Sequence, residues 1–226
     1  MAQVTEAEVV VALSGVIDPE LDEPLVQLGF ITGVRVDGER VEVDLRLPTY
    51  WCSPNFTWLM AADVRTAVLG LPGVRQARVR VHDHHAAAEI TAGVNAGRSF
   101  GEVFGADADA DLDDLRLAFR RKAFQVRLGR LLADWRPRPA RPTLADLPDT
   151  PLARSYLDIR RELVLDCGPG APVVTEPDGR EVTDVERFAR RARAIRISLE
   201  GNSALCTTLF DTRYGTEMRH ESRPLP

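Results

Sequence analysis

The sequence has few cysteines and no long apolar run, and these absences exclude several classes of protein. Three cysteines, Cys52, Cys167 and Cys206, occur in 226 residues, and an odd number at such wide spacing does not fit a disulfide framework. No apolar run approaches the roughly 18 residues of a transmembrane helix. The first 15 residues contain acids but no Lys or Arg, unlike a secretory leader. We therefore expect a cytoplasmic chain with reduced thiols and no membrane partner.

Positive charge is also scarce, which bears on the partners of the chain. The formal net charge is −5, and residues 1–95 hold 13 Asp and Glu against 7 Arg. A surface of this sign does not favour nucleic acid, because the phosphate backbone binds basic proteins. We therefore expect no nucleic-acid partner.

The first 85 residues predict a small α/β unit. Thr5 and Glu8 are spaced as a helix-capping box, and Asp37-Gly38 is the preferred two-residue hairpin turn between two alternating runs. The pattern predicts a helix at 5–17, a helical turn ending at Gly29, the hairpin, a helix from about Asn55 to Leu71, and a strand at 74–83. The order α-β-β-α-β is best satisfied by one helical layer on a small mixed sheet.

The composition changes after residue 92 and becomes mainly helical in pattern. Helices are predicted at 111–135, 152–166 and 184–200, with Gly201 as the end of the last one, and a second hairpin at Asp178-Gly179. We therefore predict an α+β protein with a compact α-β-β-α-β domain at residues 1–92. A mainly helical extension follows at 93–226, with a proline-rich connector at 136–151.

Cys52 occupies an unusual place in the segment LPTYWCSPNF, between the second predicted strand and the second helix. The free N–H groups and dipole at a helix start stabilise a thiolate, which is the form that binds metal or attacks an electrophile. The alternative is a small buried residue beneath Trp51 and Trp58.

Several short motifs occur in a fixed order around this cysteine. They are Asp18-Pro19-Glu20, Leu28-Gly29, the hairpin, Thr49 with Cys52 three residues on, and LPGV at 71–74 before a strand. This order resembles the metal–sulfur cluster assembly domain, the family that includes SufT and PaaD. The family usually has Cys followed directly by Pro, whereas Ser53 intervenes here.

The resemblance implies a compact α/β fold and a role in the maturation of iron–sulfur or other iron-containing proteins. It places the key function on Cys52 as a ligand of iron or of an iron–sulfur cluster, accompanied by Thr49 and by the acidic pair Asp18 and Glu20. We therefore expect a maturation factor, not a catalyst, that holds its cargo transiently. Its expected partners are a client metalloenzyme, other cluster-assembly proteins and a second copy of the chain; the PaaD branch makes an oxygenase one candidate client.

The segment His82-Asp83-His84-His85 forms a second candidate site at the end of the third predicted strand. Imidazole and carboxylate suit zinc or iron, so these histidines are candidate metal ligands, alone or with Cys52. Strand alternation would place His82 and His84 on one face. The alternative is a polar strand end.

Two other functions remain open. One is a metal-dependent enzyme that uses the histidine segment. The other is a metal-independent accessory protein that uses the same fold as a scaffold for a partner.

The remaining cysteines and arginines have less specific patterns. Cys167 and Cys206 could meet Cys52 to hold a cluster, but no CxxC occurs, and burial in the extension is the alternative, most clearly for Cys206 in its apolar run. Arg187, Arg190, Arg191 and Arg193 share a predicted helix, which suits either an anionic partner or a solvated face paired with nearby acids.

Overall fold

The computed structural model describes residues 4–105 and 108–215, except for the side chains of 108–111. It confirms the α+β class: a small mixed sheet with helices in the N-terminal part is followed by a mainly helical part. The elements are α1 (Glu6–Leu13), β1 (Ile17–Asp18), β2 (Glu23–Pro24), α2 (Leu25–Leu28), β3 (Ile31–Asp37), β4 (Arg40–Arg46), α3 (Pro54–Leu69), β5 (Gln76–His82), α4 (Ala87–Asn95), α5 (Phe100–Phe104), α6 (Ala108–Asp134), a 3-10 turn (Leu144–Asp146), α7 (Pro151–Glu162) and α8 (Val185–Tyr214).

The chain forms two compact units. The first unit contains the described residues up to Asp113 together with those from Asn202 onward, and the second unit contains Asp114–Gly201. The division at residue 92 between a cluster-assembly domain and an extension stays a prediction. Within the described ranges, every helix is too short or too polar to cross a membrane.

The three-stranded sheet of the first unit has the order β3-β4-β5. Strands β3 and β4 form the predicted antiparallel hairpin, with Asp37 paired to Arg40, so the two turn residues are Gly38 and Glu39, one position later than predicted. Gly38 has a φ of 60°, which glycine adopts without strain. Strand β5 runs parallel to the central strand β4, whose alternate residues Val41, Val43 and Leu45 are buried.

Helix α1 begins as the sequence predicts but ends four residues early. Thr5 and Glu8 form both bonds of the capping box: Thr5 N–H donates to Glu8 Oε2 at 2.8 Å, and Glu8 N–H donates to Thr5 Oγ1 at 3.3 Å. The predicted extension to Ile17 is wrong. The backbone of β1 instead pairs with β2 in a two-residue antiparallel ladder, which a continued helix would prevent.

Side chains of α4 cap the free edge of β5. The Asn95 amide accepts a hydrogen bond from Val79 N–H at 2.9 Å and donates one to Val79 O at 2.7 Å. Thr91 Oγ1 accepts from Val81 N–H at 3.1 Å. The edge therefore has fewer free backbone groups for pairing with another strand, and α4 is fixed against the sheet.

The indole of Trp58 fills the space between α3, α4 and α5. Its ring centroid lies 5.5 Å from that of Phe100 and 6.2 Å from that of Phe104. Gly93 permits this contact, since a Cβ at that position would lie 2.6 Å from Trp58 Cη2 and 2.7 Å from Val103 Cγ2. The first turns of α3, which follow Cys52, are therefore held by close packing.

The second unit has its own hydrophobic core, built from α6, α7, the first part of α8 and the segment near Val173. Arg160 is buried beside this core and donates to Tyr156 Oη at 2.8 Å and to the carbonyls of Pro172 and Asp166. The proline-rich connector packs through its backbone, with Val173 N–H bonded to Pro142 O at 2.9 Å. The second predicted hairpin is reduced to a turn with one isolated bridge, Thr175 to Glu181.

Helix α8 passes through Gly201 and continues to Tyr214, so the predicted end at Gly201 is wrong. A glycine inside a helix costs only about 1 kcal/mol relative to alanine. Burial of the continuing segment offsets that cost, because Phe210 is fully buried and its ring lies 5.6 Å from that of Phe30.

We predict opposite effects for two glycine-to-alanine substitutions. Gly93→Ala should lower the free energy of unfolding by about 1–3 kcal/mol, because the new methyl group overlaps the Trp58 and Val103 side chains. Gly201→Ala should raise it by up to about 1 kcal/mol, since nothing lies within 4 Å of the new methyl group. Urea denaturation followed by circular dichroism measures both, and equal effects would contradict the packing described at Gly93.

Candidate functional site

The Cys52 side chain is half-buried in the loop between β4 and α3. Its Sγ lies 3.3 Å from Thr49 Oγ1, so these two predicted site residues are in contact. Ser53 is the N-cap of α3 but makes no side-chain capping bond, and Pro54 starts the helix. Cys52 thus lies just before a helix, as the sequence predicts, two residues ahead of its first residue, Pro54, and Ser53 leaves the first N–H groups without a side-chain cap.

His84 holds the backbone of the Cys52 loop. The residue is 4% exposed. Its ring Nδ1 accepts from Ala86 N–H at 3.1 Å, and its Nε2 lies 2.7 Å from Cys52 O and 3.2 Å from Thr57 Oγ1. Burial lowers the pKa of His84, the bond to Cys52 O opposes that effect, and the neighbouring His85 adds to it. A neutral ring with its proton on Nε2 satisfies all these contacts, so a metal ion could bind His84 only after one of them broke.

His82 is held on the sheet by an acid. Its Nε2 lies 2.8 Å from Asp44 Oδ1, and Asp44 Oδ2 lies 2.7 Å from a guanidinium nitrogen of Arg35. Burial alone would raise the pKa of Asp44, but the hydrogen bonds from His82 and Arg35 outweigh burial and lower it. His82 therefore belongs to a cross-strand polar network.

His85 is exposed and belongs to an aromatic rim beside the thiol, which we define as Tyr50, Trp51 and His85. The His85 ring stacks on Trp51 with centroids 5.4 Å apart and an interplanar angle of 28°, and the backbone N–H of His85 donates to Tyr50 O at 3.0 Å. Trp51 is 76% exposed. A large exposed aromatic side chain beside a half-buried thiol is a feature typical of a contact surface.

The His84 and His85 rings lie close together, with centroids 4.5 Å apart, whereas His82 pairs with Asp44 on the sheet. Asp83 adopts a φ of 52°, which ends the alternation of β5, so the predicted common face of His82 and His84 is not formed. In the part of the chain that the structure describes, no three His, Cys, Asp or Glu side chains are grouped so that they could hold a metal ion. The assignment of Cys52, His82, His84 and His85 as metal ligands stays a prediction.

Asp18 is the last residue of β1, and its carboxyl is buried. Its Oδ1 accepts from the N–H groups of Glu20 at 2.8 Å and Leu21 at 3.0 Å. Burial nevertheless raises the pKa of Asp18 from 3.8 to about 6, because desolvation outweighs those bonds. Glu20 is half-buried beside it. The acidic motif thus includes a carboxylate that is costly to keep ionised.

Cys206 of α8 lies within electrostatic reach of both parts of the predicted site. Burial raises the pKa of its thiol to about 11, and Asp18, Cys52 and Glu20 add to that rise. The apolar run around Cys206 predicts a core residue, and the predicted end of the helix at Gly201 gave no reason to place it near the site. The continuing apolar spacing of Leu205, Leu209 and Phe210 was the signal that could have extended the helix.

The end of α8 is anchored next to the histidine segment. Arg213 donates to Asp83 O at 2.9 Å, and the Arg46 guanidinium lies 5.2 Å from the Tyr214 ring centroid and 3.3 Å from the Asp83 carboxylate.

Cys167 is exposed in a turn of the second unit, with its thiol bonded to Leu165 O at 3.4 Å. The alternative that Cys167 is buried in the extension is therefore wrong.

We predict that Asp18 makes stability fall as the pH rises from about 4 to 6. In this window the folded chain keeps a proton on Asp18 that the unfolded chain releases, so the free energy of unfolding decreases, by on the order of 3 kcal/mol for the full shift. Asp18→Asn keeps the acceptor oxygen but cannot ionise, so it should remove this slope and be more stable than the parent at pH 7.

Urea denaturation across that pH range measures the slope. Asp37→Asn is the matched control, because Asp37 is an exposed acid of the same unit and its loss should leave the slope unchanged. Equal slopes for the parent and Asp18→Asn would contradict the prediction.

Comparison with known proteins assigns the N-terminal part of the chain. Residues 6–81 match the model of the iron-sulfur cluster assembly protein family. A segment of 68 residues is 40% identical to an iron-sulfur cluster carrier protein of Deinococcus radiodurans, and it makes up 30% of this chain and 19% of that protein. The chain therefore spans about a fifth of the length of this relative. The matched range contains Asp18, Glu20, Thr49 and Cys52, and we conclude that the N-terminal part of the chain is an iron–sulfur cluster assembly domain.

Proposed function

We propose that this protein is a maturation factor that carries or helps insert iron or an iron–sulfur cluster into a client metalloenzyme. The cargo binds transiently at Cys52. The observation that carries this proposal is the position of Cys52 within the matched range: it is a half-exposed thiol next to an uncapped helix start, in contact with Thr49.

The small number of nearby ligands supports transfer of the cargo over permanent storage. Iron–sulfur clusters in proteins are bound mainly by four cysteine thiolates, whereas the described part of one chain brings only Cys206 near Cys52. Burial keeps Cys206 protonated, so Cys52 is the first ligand. The remaining ligands come from a second molecule, either a copy of this chain or the client, and ligand exchange then moves the cargo.

The aromatic rim supports a protein partner at this position. Trp51 and His85 present a stacked, exposed surface next to the thiol, and aromatic residues are enriched in the centres of protein interfaces. His84 keeps this surface and the thiol in a fixed relation by holding Cys52 O. A client or assembly protein that docks on the rim would therefore meet Cys52.

We place this function in the cytoplasm and propose an oxygenase as the client. All three cysteines are free, which suits the reducing cytoplasm. An oxygenase is the proposed client class, and it rests on the resemblance to the PaaD branch alone.

Cargo binding by the full chain tests this function. After anaerobic reconstitution with ferrous iron and sulfide, the parent protein should contain iron and acid-labile sulfide and show a cluster absorption spectrum. Cys52→Ala should lose about tenfold or more of the bound iron, because it loses the first ligand. Transfer to an apo-ferredoxin acceptor should fall in parallel.

Cys167→Ala is the matched control, since it removes an exposed thiol from the second unit and should leave both readouts unchanged. Equal iron content in Cys52→Ala and the parent would overturn the role of Cys52. Absence of metal from every protein after reconstitution would favour the metal-independent scaffold function.

A further inference from the structure

The second unit contains a cavity of about 720 Å³ that the cluster-assembly role does not use. It lies between the C-terminal part of α6, the start of the connector, the start of α7 and the first half of α8. Its apolar surface is formed by Val126, Leu132, Ala133, Leu152, Val185, Ala189 and Ala192. Gly129 lets α6 and α8 approach closely beneath it, because a Cβ there would lie 2.8 Å from Ala192 Cβ.

Arginines surround this apolar surface. Five of them line the cavity against a single acid, Asp134: Arg130, Arg136, Arg138, Arg193 and Arg196. We call this site the arginine cavity. The second unit as a whole holds 18 Lys and Arg against 13 Asp and Glu, and the cavity concentrates that excess, with five arginines against one acid.

Some arginines of the cavity already have hydrogen-bond or ion-pair partners within the protein, and others do not. Arg130 and Arg196 share Glu200, at 3.4 and 3.3 Å, and Arg138 donates to the carbonyls of Leu132 and Trp135. Outside residues 108–111, whose side chains are not described, the Arg136 and Arg193 side chains have no hydrogen-bond or ion-pair partner in the described part of the chain. Two guanidinium groups at the cavity are therefore available to an anion.

Other arginines of α8 lie outside the cavity, and two of them are paired with acids. Arg190 pairs with Glu186 at 3.7 Å and Arg191 pairs with Glu176 at 2.6 Å, which is the solvated, acid-paired face that the sequence allowed. Arg187 is exposed and lies outside the cavity. Arg193 is thus the member of the predicted arginine set that faces the cavity.

The geometry points to a small amphipathic anion as the occupant: we propose that the arginine cavity binds an apolar molecule that carries a carboxylate or phosphate group. The planar guanidinium fork pairs with both groups through two parallel hydrogen bonds. The apolar surface removes the body of the ligand from water. The volume lies within the roughly 300–1,000 Å³ of small-molecule sites. This proposal does not rest on the cluster-assembly role.

Isothermal titration calorimetry of the full chain with octyl phosphate and with octanoate, below their micelle concentrations, tests the proposal. Both probes should bind, and inorganic phosphate and octanol should bind at least about tenfold more weakly, because each offers only half of the recognised chemistry. Affinity should also fall as salt rises, because ions screen the guanidinium charges.

Matched variants locate the binding. Arg193→Glu should weaken binding at least about tenfold, by replacing attraction with repulsion, while Arg187→Glu on the same helix should leave it unchanged. Ala189→Trp should block the apolar surface, and Ala194→Trp, exposed outside the cavity, should not. Circular dichroism melts confirm that each variant folds.

Four results would overturn the proposal. They are no heat of binding for either probe, equal weakening by Arg193→Glu and Arg187→Glu, unchanged affinity in Ala189→Trp, and binding of inorganic phosphate as tight as that of octyl phosphate. Sedimentation with phosphatidylglycerol-containing vesicles separates a free ligand from a membrane: cosedimentation without binding of the soluble probes would mean that a lipid surface, and not a small molecule, is recognised.

Discussion

The hydrogen bond between the buried His84 ring and the carbonyl of Cys52 is the constraint on which the candidate site depends. It joins the end of β5 to the loop that precedes α3, across 32 residues of sequence. The second ring nitrogen is bound by Ala86 N–H, so the ring cannot turn without losing a bond in a buried position, which is costly. This bond holds the backbone at Cys52, and the neighbouring His85 supports the same loop through its backbone bond to Tyr50 O and its stack on Trp51. His84 is therefore best understood as a residue that positions the reactive loop.

The site combines this rigid support with groups that do not favour stability. Asp18 is buried although it is an acid, and at neutral pH it carries a charge that desolvation penalises. Cys206 is a thiol whose ionisation is opposed by burial and by the acids around it. Perturbed titratable groups of this kind are concentrated at functional sites. If the proposed cationic cargo binds at Cys52, its charge would favour the ionised forms of Asp18 and Cys206 and so oppose the effect of their burial.

The two compact units have opposite chemical characters. The first unit carries the acids, the loop thiol and the exposed aromatic rim, whereas the second carries a hydrophobic core and a cavity lined by arginines. Only the first unit contains the range that matches the cluster-assembly family. The second unit therefore has a separate source of specificity, and its ligand chemistry can differ from that of the cargo. The chain thus offers two sites, one based on a soft thiol and one based on hard anion recognition.

The sequence by itself determined the local elements and the place of Cys52. The capping box at Thr5, the β3–β4 hairpin and the helix after the thiol are set by hydrogen bonds and burial patterns among residues close in the chain, which the periodicity of the sequence reflects. Tertiary structure alone decided what surrounds the thiol. The ring of His84 faces Cys52 because Asp83 leaves the strand conformation, and Cys206 reaches the site because α8 continues through Gly201. Neither outcome can be read from the neighbouring residues. The strand-like alternation of the histidine segment and the helix-breaking tendency of glycine are weak local preferences. Burial against residues distant in the chain overrides both.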